Sequence, residues 1–152
     1  MAASSAETRG PKMKLVVATD FSHKSELALD FALLYSRSGD AEVFLFHVVE
    51  SKENNFRELD RLNVEYMERM KQAVLQAIDR LSARGIAHSV DTVNRRISHG
   101  KPGLEILRIA AGVSADMIFM GTPSVKGFKD LLAHAPCTLV LVRDKDPEFI
   151  AP

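Results

Sequence analysis

The chain has 152 residues, 46% of them hydrophobic and 26% charged, which suits one globular domain with a substantial core. Its twenty basic and twenty acidic side chains cancel, so net charge supplies no pull towards nucleic acid or an anionic membrane. The single cysteine, Cys137, excludes an intrachain disulfide framework and every zinc motif built on several cysteines.

Residues 1–12, rich in Ala and Ser and without a signal-peptide core, are expected to form a flexible tail. A single α/β domain over 13–146 and a second tail over 147–152 are expected to follow. No apolar run approaches the roughly 20 residues that cross a bilayer, so a cytoplasmic protein is expected.

Leu15 to Ala18 is a short continuous apolar run, as in a strand buried on both faces. It stops at Thr19-Asp20, and Ser22 stands where a helix N-cap is wanted. Leu27, Phe31, Leu34 and Tyr35 then keep helical spacing until Gly39 supplies a stop. Val43 to Val49 is the next strand, with His47 inside it. From about Phe56 to Arg84, the residues Leu59, Leu62, Tyr66, Met70, Ala73, Ala77 and Leu81 step by three or four. They form one apolar stripe on a long helix, which Gly85 ends.

Ile86 to Ile97 is a weaker pattern, alternating through His88, Val90 and Thr92. It reads as a strand near the sheet edge, with Arg95 and Arg96 at its far end as a solvated pair or an anchor for an anionic partner. Pro102 suits the first turn of a helix that continues through Leu104, Leu107, Arg108 and Ala111 to Gly112. A fourth strand spans Asp116 to Gly121, a short helix Lys126 to Ala133, and a fifth strand Thr138 to Arg143. Strands alternating with helices predict a parallel sheet wrapped on both faces.

The histidines, His23, His47, His88, His99 and His134, fall in no metal-ligand spacing. His47 reads as a satisfied core residue, and Cys137 as a half-buried, reduced side chain beside a strand. Neither a catalytic group nor a metal site is expected.

Four segments together resemble the universal stress protein family. Leu15-Val16-Val17-Ala18-Thr19-Asp20-Phe21-Ser22 is similar to its opening LVPVDFS, and Phe46-His47-Val48-Val49-Glu50 to its LHVVE. Asp116 to Gly121 is similar to DLIVMG, and His134-Ala135-Pro136-Cys137 with the following strand to HAPCPVLVV. The resemblance spans Met13 to Arg143. It implies a doubly wound five-stranded parallel sheet of order 3-2-1-4-5, with ligands at the carboxyl ends of strands one and four. It also implies a homodimer, often joined through the last strand. Some members of the family bind ATP and others do not.

In the ATP-binding members the loop after strand four reads G-x2-G-x9-G-[S/T], where glycines let backbone N–H groups approach phosphate oxygens. Here Gly121 fits the first position, Ser124 stands at the second, and His134-Ala135 replaces the final Gly-Ser. The crossover is short, so its helix is expected to be about two turns long, with its start displaced or lost. Lys126, Lys129 and Lys101 are candidate phosphate cations or solvated surface, and Gly127 is a hinge or a substitute glycine. The nucleoside half is better kept. By the resemblance, Asp20 matches the acid that accepts from ribose hydroxyls, with Thr19 beside it. Val48 or Val49 matches the stretch whose backbone contacts adenine. Asp20 is equally well read as a cap for the first helix.

The candidate nucleotide-binding set is therefore Thr19, Asp20, Val48, Val49, Gly121, Ser124, Lys126 and Gly127. Two functions are open. One is a non-catalytic stress-response binding protein with a degenerate ATP site, with no cofactor or only weakly bound ATP or AMP, and with a protein partner as one option. The other is an ATP- or AMP-binding switch or weak ATPase using a remodelled loop. Neither nucleic acid nor a membrane is an expected partner.

Overall fold

The computed structural model describes residues 12–36, 41–50, 56–89, 92–122 and 128–143. The expected tails, apart from Lys12, therefore lie outside the described residues. The elements are β1 (Met13–Ala18), α1 (His23–Tyr35), β2 (Ala41–Val49), α2 (Phe56–Ser82), β3 (Val93–His99), α3 (Pro102–Gly112), β4 (Met117–Gly121), α4 (Phe128–His134) and β5 (Thr138–Val142). All strand pairs are parallel, in the order β3-β2-β1-β4-β5.

Alternation along the central strands divides the core in two, because successive side chains leave a strand on opposite faces. Leu15, Val17, Leu45 and Phe119 join Leu29 and Leu33 of α1 and Met70, Val74 and Leu81 of α2. Val16, Phe44, Phe46, Ile118 and Met120 join Ile106 and Ala110 of α3 and Leu131 of α4. The sheet is thus covered on both faces, which is why its central strands read as unbroken apolar runs.

Three local features differ from the expected pattern. The residues that α1 buries include Ala28, Leu29, Ala32 and Leu33, whereas Phe31 and Tyr35 are 50% and 51% exposed. This helix is apolar on nearly every side, so spacing alone selects no face; small alanines seat it closely on the sheet. Phe31, Leu34 and Tyr35 instead line a shallow apolar groove with Met117, Phe119 and Val140, beside β5.

The third strand begins at Val93, paired with Val43, rather than near Ile86. Ile86 instead belongs to the turn that closes α2, and Val90 lies outside the described residues. Gly85, at φ +79°, lets Gly85 N–H donate to the Ser82 carbonyl and Ile86 N–H to that of Leu81, a Schellman closure. His88 Nε2 then bonds the Leu33 carbonyl at 2.8 Å, tying the segment to α1. Arg95 and Arg96 consequently stand in the middle of an edge strand, not at its end. The short last helix is seven residues long, beginning at Phe128; the expected first residues of that helix, Lys126 and Gly127, lie outside the described residues.

Candidate functional site

In this strand order β1 and β4 are neighbours whose chains leave in opposite directions, so a crevice opens above their carboxyl ends. Its β1 wall is built by a tightly bonded turn. Thr19, buried, donates its N–H to the Phe46 carbonyl at 3.0 Å and accepts from Phe21 N–H on Oγ1 at 3.0 Å. Phe21 is held at φ +64°, a left-handed conformation that a bulky residue adopts only when its surroundings enforce it.

Those surroundings are aromatic. The Phe21 ring lies 4.6 Å from that of His47 and stacks on Tyr66 at 5.8 Å, and the Arg69 guanidinium sits 4.1 Å from its centroid. His47 Nδ1 bonds the Thr19 carbonyl at 2.7 Å. A carbonyl only accepts, so the proton is on Nδ1 in the neutral ring. Burial, the largest influence, and the Arg69 charge lower the His47 pKa, against the Thr19 bond and the Asp20 charge.

Asp20 Oδ1 accepts from Ser22 N–H at 2.9 Å and from Ser25 Oγ at 2.6 Å. Ser22 is the N-cap of α1, and its side chain accepts from Ser25 N–H. Partial burial opposes ionisation of Asp20, but the bonds from Ser22 and Ser25 outweigh it and hold its pKa below the ordinary value. The positive end of α1 therefore already has a carboxylate beside it: Asp20 is bonded to the turn that Ser22 caps. Among the described residues no hydrogen bond reaches Oδ2, which leaves that oxygen as an acceptor at the crevice.

The end of β2 distinguishes Val48 from Val49. The Phe46 carbonyl accepts from Thr19 on the β1 side, and the Val49 carbonyl accepts from Gly100 N–H at 3.1 Å on the β3 side. In a parallel strand the main-chain groups of successive residues face opposite neighbours. Those of Val48 thus face the β1 side, where β1 has already ended at Ala18. Val49 is committed to the sheet and Val48 is open to the crevice.

On the β4 wall, a Cβ added to Gly121 would lie 2.6 Å from Lys24 Cβ, 3.1 Å from Lys24 C and 3.2 Å from Ser25 N. Glycine is required there because the first turn of α1 seats on the end of β4. Lys24 Nζ donates to the Thr122 carbonyl at 2.8 Å. Thr122 is itself fixed by N–H and Oγ1 bonds to the Val142 carbonyl at 2.9 and 3.2 Å.

The structure thus brings Thr19, Asp20, Val48 and Gly121 to one crevice, with Val49 just beneath it. Ser124, Lys126 and Gly127 lie outside the described residues. His134 ends α4, and Ala135 N–H donates to the Leu131 carbonyl; the pair aligned with the family's Gly-Ser is at a helix C-terminus, where no N–H groups are presented to an anion. Lys101 is the exposed N-cap residue of α3 and Lys129 is exposed on α4. Ser25 and Lys24 were not among the expected residues. A serine three positions after a serine N-cap was the available signal for the first; nothing in the spacing marked the second.

Five parallel strands wrapped by helices, with a polar crevice at the switch point, define a doubly wound α/β protein. Residues 13–143 match the model of the universal stress protein family, and the chain belongs to that family. A relative named as a universal stress protein in Staphylococcus epidermidis is 25% identical over 150 residues, covering 91% of this chain and 89% of its own. The fold is also that of a universal stress protein solved in complex with cAMP, with a TM-score of 0.65 at 20% identity, covering 88% of this chain and 98% of the other. A universal stress protein from Archaeoglobus fulgidus, solved in complex with dAMP, gives 0.60 at 19% identity, covering 86% and 97%. Among the described residues no helix is long and apolar enough to cross a membrane.

Proposed function

We propose that this protein is a non-catalytic stress-response binding protein whose crevice takes an adenine nucleoside or nucleoside monophosphate weakly, and that it works as a homodimer. The observation that carries the ligand reading is the split between the two halves of the crevice. Asp20 keeps a carboxylate oxygen, and Val48 main-chain groups, with no hydrogen-bond partner among the described residues, the two contacts a ribose and a base require. The phosphate half has lost the second glycine and the final Gly-Ser pair of its motif. The cAMP and dAMP held by the two similar structures support a one-phosphate ligand.

Homodimerisation is supported by the unequal edges of the sheet. The β5 edge carries Leu139, Val140 and Leu141, all partly exposed, beside the apolar groove of Phe31 and Tyr35. A second copy placed across a two-fold axis would pair β5 with β5 and cover both grooves. The β3 edge carries Arg95 and Arg96, which disfavour such pairing.

The ligand reading is tested by denaturing the purified protein, identifying released nucleotides by mass spectrometry, and titrating adenosine, AMP and ATP by calorimetry. The expected result is binding of adenosine and AMP with dissociation constants above about 1 μM, weaker than about −8 kcal/mol. Stoichiometric co-purified ATP, nanomolar ATP affinity or ATP hydrolysis would reverse it in favour of a switch or ATPase.

A further inference from the structure

We propose that Lys24 is the residue that gives this crevice its preference for a phosphorylated ligand, a single ammonium standing in for the missing glycine cradle. The inference rests on the nucleoside reading above and adds to it the group that recognises the phosphate.

Two N–H groups of the first turn of α1 are already engaged. Ser25 N–H donates to Ser22 Oγ, and Glu26 N–H to the Ser22 carbonyl. The Asp20 carboxylate lies against the same turn, so an incoming phosphate meets a negative charge there rather than a helix end. An anion at the opposite wall is reached from the first turn of α1 through Lys24. Because Gly121 has no side chain, the Lys24 stem lies directly on the end of β4. Its ammonium is aimed by the Thr122 carbonyl at 2.8 Å, and Thr122 is anchored by its two bonds to Val142.

An ammonium has three donors, and this bond uses one. No carboxylate of the described residues forms an ion pair with Lys24, and the side chain is half-buried. A partly desolvated cation with no ion-pair partner among the described residues attracts an anion more strongly than a fully hydrated one. Asp20 on one wall and Lys24 on the other place an acceptor for sugar hydroxyls and a cation for phosphate across the same crevice. A lysine acts as a point charge; a single one matches one phosphate better than it matches three.

The test uses the full chain and calorimetric titration of adenosine and AMP at low and high salt. The wild-type protein should bind AMP at least about tenfold more tightly than adenosine, the worth of one charge-assisted hydrogen bond, and this margin should shrink as salt is raised. In Lys24→Met, which keeps the stem against Gly121, AMP affinity should fall to that of adenosine while adenosine affinity is unchanged. Lys24→Arg should retain a preference for AMP, and its adenosine affinity serves as a second check that the crevice is intact. Adenosine binding with an AMP margin that survives in Lys24→Met would overturn the role of Lys24 and leave the nucleoside reading standing. Failure of both ligands to bind the wild-type chain would overturn the two together.

Discussion

His47 illustrates how one side chain holds a strained turn in place. Its Nδ1–H donates to the Thr19 carbonyl while its ring packs on Phe21, so a polar bond and an aromatic contact both oppose relaxation of the left-handed Phe21. Its pKa is lower in the folded chain than the ordinary 6.5. As pH falls, the unfolded chain therefore takes up the proton first, and stability rises with pH wherever the unfolded state binds more protons. The contribution of the neutral ring is whole above about pH 7 and is lost as pH drops through 6.5 towards the folded value. Thermal melts of the wild-type chain and His47→Gln should differ most near pH 7.5, with the gap narrowing near pH 5.5. A gap that widened in acid would mean that the charged ring is the stabilising form.

Among the elements, the seat of α1 on β4 couples the two walls of the crevice. Gly121→Ala would drive a methyl group into Lys24 Cβ and the backbone of Lys24 and Ser25. Backbone cannot swing aside as a flexible side-chain end can, so a loss of about 1–3 kcal/mol is expected, as for other overpacked sites. It should appear as a lower urea midpoint with an unchanged slope. The five strands and the starts of α1 and α3 were legible in the sequence, because short apolar runs, a Ser22 cap and Pro102 carry direct physical meaning. The buried face of α1 was not, since Phe31 and Tyr35 obey the same spacing as a core stripe. The start of β3 was not legible either: Ile86 and His88 are partly buried by the closing turn of α2 and by α1, which imitates the alternation of a strand. Asp20, Val48 and Gly121 were legible as a set only through the family resemblance. The choice between Val48 and Val49 needed the direction of the main-chain bonds, and Lys24 needed the tertiary contact with Gly121.

On the scale of the whole molecule, the apolar groove and the β5 edge are continuous. Val140 contributes to both: its side chain lines the groove with Phe119 and Tyr35, and its backbone lies on the outer strand. A lysine at this position adds a charge that must be desolvated on pairing, the device by which natural sheets keep edges apart. Val140→Lys should convert the proposed dimer to a monomer in sedimentation equilibrium, while far-UV circular dichroism stays unchanged. A wild-type chain that sediments as a monomer at all concentrations would remove the dimer from the proposal.

The difference between the two edges also sets a limit on growth. Once two copies meet at β5, the doubled sheet ends on both sides in β3, where Arg96 folds back over the Phe44 ring at 5.2 Å and Arg95 lies beside Met67 and Lys71 of α2. Neither outer border offers a strand that a third copy can join. The proposed pairing is therefore self-terminating: concentration would fill the two-chain state but would not extend it into a ribbon or fibre, and the most adhesive strand would stay hidden.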